Sequence, residues 1–541
     1  MGRAVLTEAR PGLGKESATE GQARSWRIPK RGILSATEWT PSTGGLSLKA
    51  PLLSVVVPFY NVVGYIEECL TSLAAQTLMD VEFILIDDGS MDGGDVTAKE
   101  FAARDSRFRV LRQDNQGPGP ARNLGIRHAT GLYLAFADGD DVVPETAYEL
   151  LVGSLEETGS DIACGGVRRI TPEGLVPSAM YAKLFRKPAR RTHIETFPEL
   201  IRDRTVWNKV YRRSFWDEHR LEFPSGFYED VPVAIAAHVL ASSVDILNEV
   251  VYHWRLRDTG DASTTQRRME VANVEERVAS LRGVQGFLAE RSPQLKREFD
   301  DMVVSWDLKF VKDALEEAVE EGTPNDLERL FDVVAPCIDA LDPLMVSALP
   351  ASRRLELYLL HQRMAPELRE VRRFRREEEA RVLRRGSRPP RWYAAYPFFG
   401  DRSRGIPDHL YDVTQELILR VHTDRVRWSG GRLLVEGQAS IKRLDERQSR
   451  IKVWIEGKGK SGKGKSRISL PARQDGARFV AEVEGVAPGR WSVHAEVSAN
   501  GMRLSSLLGA SPRQLPKGGR AGVRAALGRD GRLVVVVQSD L

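Results

Sequence analysis

Cysteines, long apolar runs and net charge are all scarce in this sequence, and each shortage excludes a class of function. The 541 residues include only Cys69, Cys164 and Cys337, too widely separated to form a metal-ligand pattern. Reduced, buried thiols in a reducing, cytosolic compartment are therefore expected. No apolar stretch approaches the roughly 20 residues that span a bilayer. The first 50 residues lack the h-region of a signal peptide and are rich in Gly, Ser, Thr and Arg, so residues 1–50 read as a disordered leader. A net charge of +4 is small for this length and gives no general attraction for nucleic acid. What remains is an ordinary globular composition, 42% hydrophobic and 28% charged, long enough for about two to four domains.

From Leu52 onward, buried strands alternate with amphipathic helices. "LLSVVVPFYN", "VEFILIDDGS", "RFRVLRQ" and "GLYLAFADGDD" read as strands. Between them, "GYIEECLTSLAAQ", "DVTAKEFAARD" and "GPARNLGIRHA" read as helices, the first with Ile66, Leu70, Leu73 and Ala74 on one stripe. This alternation predicts right-handed crossovers and a mostly parallel sheet, whose ligands bind beyond the carboxyl ends of the strands. The unusual polar clusters all sit at such ends: Pro58 to Asn61, Asp87 to Ser90, Asn115 to Arg122 and Asp138 to Asp141.

Asp138, Asp140 and Asp141 crowd the end of an apolar run. Their mutual repulsion and desolvation call for a cation. A calcium loop is the wrong answer for the neighbouring "DDGSMDGGDVTAKE", because the bidentate Glu expected at its twelfth position is Lys99. Mg²⁺ or Mn²⁺ shared with a diphosphate fits better, since such ions take one or two protein carboxylates and complete their shell with phosphate oxygens. Asp140 would hold the metal and Asp138 would reach a ribose. Asp88 would accept from a base N–H, with Pro58 and Tyr60 forming an edge for the base. Asn115 and "GPGPARN" would place Arg122 near a phosphate at a helix start. That loop is no dinucleotide fingerprint, because position 122 is Arg and not Gly.

Taken in order, "VVVPFYN", "IDDGSMDG", "DNQGPGPARNLGI" and "FADGDD" resemble the nucleotide-binding half of family-2 glycosyltransferases, over residues 51 to 265. "WNKVYRRSFWDEHRLEFPSGFYEDVPVAIAA" resembles their acceptor-side segment, and "VYHWRLRDTGDAST" the late Arg-rich segment that closes over the diphosphate. The resemblance implies an α/β GT-A domain over 51–267. It implies donor contacts at Pro58, Asp88, Asn115, Arg122 and Asp138, with the metal (Mn²⁺ or Mg²⁺) at Asp140. Arg255, Arg257 and Ser263 are implied for the diphosphate, and Asp230, with Glu229 beside it, for the general base. The implied reaction is a metal-dependent, inverting transfer of a hexose or N-acetylhexosamine from a UDP-sugar. Gly139, where a small polar residue is common in the family, is expected to be neutral. Trp207, Tyr228, Tyr252 and Trp254 suit sugar stacking and core packing equally.

Residues 268–420 read as an α-helical linker domain, dense in Leu, Glu, Arg and Ala to about residue 385 and broken by Pro389 and Pro390. From 421 to 541 the period becomes two, with turns such as "SGG" and "ANG", which indicates a β-sandwich. This order of domains resembles bacterial wall teichoic acid glycosyltransferases. That likeness implies an anionic, cell-envelope polyol-phosphate acceptor, a cytoplasmic enzyme and a homo-oligomer held by the C-terminal module. A lipid-linked glycan acceptor, as in exopolysaccharide or capsule synthesis, is the alternative within enzymes; a non-catalytic nucleotide- or glycan-binding protein is the alternative outside them. "IEGKGKSGKGKSR" is a cationic loop suited to a polyphosphate, to an anionic membrane surface or simply to solvent.

Overall fold

The structure is a computed structural model that describes residues 50–258, 266–459, 466–520, 522–528 and 530–538. The expected leader therefore lies, but for Ala50, outside the described residues. So do Ser263 and the centre of the lysine-rich loop. The chain forms two compact units, residues 1–310 and 311–541, with the boundary inside one helix.

In the first unit the alternation read from the sequence is realised as β1 (Leu53–Phe59), α1 (Ile66–Ala74), β2 (Val81–Asp87), α2 (Gly94–Arg104), β3 (Phe108–Arg112), α3 (Pro118–His128), β4 (Tyr133–Phe136) and α4 (Ala147–Thr158). It continues through β5 (Ile162–Thr171), β6 (Gly174–Pro177), β7 (Ala189–Thr192), β8 (Lys209–Arg212), α5 (Arg213–Glu218), α6 (Asp230–Leu240), β9 (Val244–Arg255), α7 (Val271–Arg291) and α8 (Pro293–Met302). The strands make one nine-stranded sheet in the order β3-β2-β1-β4-β8-β5-β9-β7, with β6 added to β5. β1 to β4 are mutually parallel, as the crossovers require. β8 runs against both β4 and β5, which returns β5 and β9 to the direction of β1. Every residue of β1 is buried because the strand lies inside the sheet, so it reads as a continuous apolar run rather than an alternation. The three cysteines are buried.

Helices α9 (Leu308–Glu320), α10 (Pro324–Asp339), α11 (Pro343–Ala348), α12 (Ala351–His361) and α13 (Ala365–Glu377) follow. Thr323 and Asp326 form a reciprocal capping box at the start of α10. The helical reading extends too far at the C-terminal end. α13 stops at Glu377, and β10 (Val382–Arg385) pairs antiparallel with β11 (Arg391–Ala394) around Pro389 and Pro390. The prolines thus sit in the turn of a hairpin rather than ending a helix, and the hairpin buries Trp392 and Ala394.

The period-two region forms β12 (Leu419–Ser429), β13 (Arg432–Ile441), β14 (Arg450–Gly459), β15 (Ser466–Leu470), β16 (Ala472–Asp475), β17 (Arg478–Val483), β18 (Gly489–Ala499), β19 (Met502–Leu507), β20 (Val523–Leu527) and β21 (Leu533–Val537). They build a four-stranded and a six-stranded antiparallel sheet. Leu433, Val435, Ala439 and Ile441 of one sheet are buried, as are Trp491, Val493, Ala495 and Val497 of the other. That alternation, buried on one face of each strand, is the signature of a two-layer core.

Candidate active site

Because β1 lies between β2 and β4, the carboxyl ends of these strands bring three of the polar clusters to one edge. The fourth, which follows β3, folds back onto them. Asp88 draws it in: its Oδ1 accepts from Gln113 Nε2 at 2.8 Å and Gln116 N at 2.9 Å, and its Oδ2 from Gly117 N at 2.8 Å. Both carboxylate oxygens are thus engaged within the protein. Asp88 shapes the 113–117 loop here, where a direct bond to a base was expected. Asn115 and Tyr60 are exposed beside it, and Pro58 is buried.

The acidic turn is held from below and from the side. Gly139 N donates to Pro58 O at 3.3 Å and Asp141 N to Asp138 O at 3.1 Å. Tyr252 Oη accepts from Asp138 N at 2.9 Å and donates to Asp141 Oδ2 at 2.8 Å. Arg255 donates its backbone N to Asp141 Oδ1 at 2.7 Å and its Nε to Asp140 O at 2.9 Å. Arg257 Nε meets Asp140 Oδ2 at 2.7 Å. Arg255 is therefore a brace for the turn, and of these two arginines Arg257 is the one whose guanidinium pairs with an acidic side chain of it. Burial, with Asp140 and Asp138 nearby, pushes the Asp141 carboxyl well up from its ordinary range.

Gly139 is more than a neutral departure from the family pattern. A Cβ there would lie 2.7 Å from Phe59 Cβ and 3.4 Å from Pro58 O, so the turn packs against β1 only without a side chain. Gly139→Ser is expected to cost about 1–3 kcal/mol through overpacking and to weaken donor binding by displacing Asp138 and Asp140. Thermal melting and nucleotide titration measure the two effects, and an unchanged melting temperature contradicts the packing argument.

Arg122 is the hub of the site and is only 2% exposed. Its Nη2 donates to Asp138 Oδ1 at 2.6 Å, its Nη1 bonds Glu229, and the same Nη1 lies 3.1 Å from Asp230 Oδ1. The guanidinium also stacks over Phe223, 5.3 Å from the ring centre. Burial alone would lower its pKa, but Asp230, Asp138 and Glu229 outweigh that and hold it above the ordinary arginine value. α3 turns Arg122 inward, where it pairs with protein carboxylates. The start of α3 fits tightly against the Asp230 loop, since a Cβ on Gly119 would lie 2.1 Å from Pro224 O.

Asp230 opens α6, where no side chain caps the helix. Its Oδ1 is buried and makes no hydrogen bond of good geometry among the described residues, meeting the Arg122 guanidinium only as an ion pair, so a capping role does not account for it. Burial and Glu229 push its carboxyl up to about 7 against the pull of Arg122. Asp138 is pushed up to about 6, by burial first and then by Asp230 and Asp140, again against Arg122.

The loop before Asp230 is gripped by α7. Glu276 accepts from Phe227 N, and Ser280 Oγ donates to Tyr228 O at 2.9 Å. Tyr228 Oη donates to Asn273 Oδ1 at 2.6 Å and accepts from Arg277 at 2.8 Å. These bonds hold Tyr228 at φ +62°, a conformation costly for a side chain of this size. Among the aromatics, Trp207 and Tyr252 stack on each other at 4.2 Å in the interior. Tyr228 lies under Arg277, and Trp254 under Arg169. Core packing accounts for the first two. Asp203, Lys209 and His238 form a buried network near the base: Asp203 Oδ2 lies 3.0 Å from Lys209 Nζ and 3.2 Å from His238 Nε2. Burial would raise Asp203, but Lys209 and His238 hold it down at about 2. The motifs carry no signal for this network or for the α7 clamp, whose members are 45 to 52 residues from the loop.

For a divalent ion, no three ligating side chains converge among the described residues. Each of Asp138 and Asp140 commits one carboxylate oxygen to an arginine, which leaves the other for an ion. That donor set fits Mg²⁺ or Mn²⁺ in the mode where phosphate oxygens supply most of the shell.

Residues 54–220 match the family described as glycosyl transferase family 2. A putative glycosyltransferase of Bacillus subtilis, EpsH, is 30% identical over 331 residues, which cover 59% of this chain and 94% of that protein. Among solved structures, S. aureus TarS superposes with a TM-score of 0.54 at 15% identity, over 90% of this chain and 85% of that one. Its residues 1–349 in complex with UDP-GlcNAc superpose with a TM-score of 0.51 at 19% identity, over 64% of this chain and 96% of that one. These structural likenesses extend the GT-A domain, the helices and the C-terminal antiparallel sheets as one shared architecture.

Proposed function

Since the chain belongs to glycosyl transferase family 2, we propose that it moves a hexose or N-acetylhexosamine, with inversion, from a UDP-sugar to a hydroxyl of an anionic cell-envelope polymer of the polyol-phosphate kind. The carrying observation is the placement of Asp230. Its carboxylate is buried and ion-paired, 3.1 Å away, to the same arginine that holds Asp138 of the acidic turn, and burial with Glu229 pushes the carboxyl up to about 7. That is the state a general base needs. The UDP-GlcNAc bound by the TarS fragment supports the donor class.

In this reading the acceptor hydroxyl attacks the anomeric carbon and its proton passes to the Asp230 carboxylate. The bond from that carbon to the diphosphate oxygen breaks, and its electron pair leaves with UDP. A single displacement inverts the centre. Asp140, with Asp138, would hold Mg²⁺ or Mn²⁺ on the donor diphosphate, and a bound ion supplies charge neutralisation for the leaving group. Arg257 would turn from Asp140 to the diphosphate, while Arg255 keeps the turn in shape. Pro58, Tyr60 and Asn115 would border the nucleoside. Asp88 would act through the loop it shapes, and Ser263, in sequence next to this region, would join the diphosphate contacts.

A lipid-linked acceptor is the second reading, favoured by the surface described in the next subsection. A purely nucleotide-binding role is disfavoured, because binding requires no buried base beside the acidic turn. A UDP-release screen across nucleotide-sugars, with polyol-phosphate polymers and lipid-linked glycans as acceptors, tests the proposal. No release with any pair would refute it. In the same assay Asp140→Ala is expected to abolish turnover and weaken UDP-sugar binding, and chelation by EDTA to have the same effect until Mn²⁺ or Mg²⁺ is restored. Full activity in EDTA would remove the metal from the reading and leave the transfer itself standing.

A further inference from the structure

β5 and β6 form a hairpin at the end of β5, beside β9, with Thr171 paired to Gly174 and the exposed Pro172 and Glu173 in the turn. All four residues of β6 are exposed. Leu175 is 45% exposed, Val176 36% and Met180 39%, so apolar side chains stand exposed on both faces of β6 and just after it among the described residues. The chain then runs through a segment whose apolar residues point inward and whose basic residues point out. Tyr181, Leu184 and Phe185 are buried, whereas Lys183, Arg186 and Lys187 are exposed. Together with exposed Arg168 at the base of the hairpin, these cations have no ion-pair partner among the described residues.

This surface borders the candidate active site. β5 runs in the direction of β1, so its hairpin leaves the sheet at the same edge as the acidic turn. Ile170 pairs with Arg255, the brace of that turn. Tyr181 packs edge-on against Trp207 at 6.1 Å, Trp207 stacks on Tyr252, and Tyr252 bonds Asp138 and Asp141. A rigid aromatic ladder thus links the basic segment to the acidic turn.

We propose that the β5–β6 hairpin and the 183–187 segment dock on an anionic phospholipid surface, with Leu175, Val176 and Met180 entering the headgroup boundary and the four cations meeting lipid phosphates. Exposed apolar residues next to a run of Lys and Arg, with Glu173 the one acidic residue in the turn, are the chemistry of an interfacial anchor, and each cation near an anionic membrane strengthens binding by about fivefold. A soluble anionic polymer would use the cations and leave Leu175, Val176 and Met180 without a role. Docking there brings the acidic turn to the membrane surface, where a lipid-linked acceptor resides. The proposal concerns binding and stands apart from the transfer reaction.

The full chain is sedimented with vesicles of phosphatidylcholine alone or with added phosphatidylglycerol, in the absence of donor. Binding is expected only with phosphatidylglycerol. Lys183→Gln/Arg186→Gln/Lys187→Gln should weaken it on the order of a hundredfold, and Leu175→Ser/Val176→Ser should weaken it as well, both with unchanged melting temperature. Lys460→Gln/Lys463→Gln/Lys465→Gln, in the lysine-rich loop, should leave it intact. The proposal is overturned by no binding to phosphatidylglycerol vesicles, or by loss only in the lysine-loop variant. It is equally overturned if the serine variant binds vesicles normally, whether soluble polyphosphate competes for the cations or the serine changes alter self-association instead.

Discussion

Asp230→Asn is expected to lower the rate of sugar transfer by about 10²–10⁴-fold, the usual contribution of a positioned base, with UDP-sugar affinity nearly unchanged. The substitution keeps size and shape and removes only the basic oxygen. Donor affinity should hold because the Arg257–Asp140 and Arg122–Asp138 pairs form without Asp230. The wild-type rate should rise as pH passes through about 7, where Asp230 loses its proton, and the Asn variant should lack this limb. A stability measurement gives an independent check. Asp230 is raised from an unfolded value near 3.8 to about 7, so the folded chain holds more protons between these values than the unfolded chain does. Its contribution to stability is complete below about 4 and is lost as pH rises through 7. Asp230→Asn should therefore flatten the dependence of the melting temperature on pH over that window. Near-normal turnover with an unaltered pH profile would move the base elsewhere in the site.

Arg122→Met is expected to destabilise the first unit by about 3–5 kcal/mol, the cost of removing one partner from a buried charge cluster. Arg122 is the shared counter-ion of Asp138, Glu229 and Asp230, and methionine leaves all three carboxylates without it. The melting temperature should fall on the order of 10 °C. The loss should shrink toward pH 5, because protonation of Asp138 and Asp230 relieves the repulsion that Arg122 now offsets. A simple phosphate-binding arginine at the mouth of the site predicts a different pattern: weaker donor binding, with little change in melting temperature at any pH. Equal stability of the Met variant and wild type at pH 8 would exclude the hub role.

Much of the first unit was legible in the sequence because its architecture is local in origin. Strands β1, β2 and β4 are short apolar runs, each ending in polar residues, and parallel pairing needs only the order of the strands and the intervening helices. The edge on which Asp88, Asn115, Asp138 and Asp140 gather follows from that. The second half of the sheet was less legible. β6 and β7 are short and largely exposed, so they carry no apolar period. β10 and β11 were hidden by the Glu- and Arg-rich run that continues the pattern of α13. Asp88 and Arg122 were found as site residues, but their partners were not: Asp88 meets backbone amides 28 and 29 residues away, and Arg122 meets Glu229 across 107 residues.

The sequence by itself determined the order of strands and helices, the change from a period of 3.6 to a period of two, and the residue types present at the strand ends. These depend on side-chain spacing along the chain, which is set by backbone geometry alone. Only the tertiary structure decided which way Arg122 faces, that Gly139 has no room for a side chain, and that Asp230 titrates near neutrality. Burial, close approach and the field of neighbouring charges are properties of three-dimensional distance, and residues about a hundred positions apart acquire them only when the sheet brings their ends together.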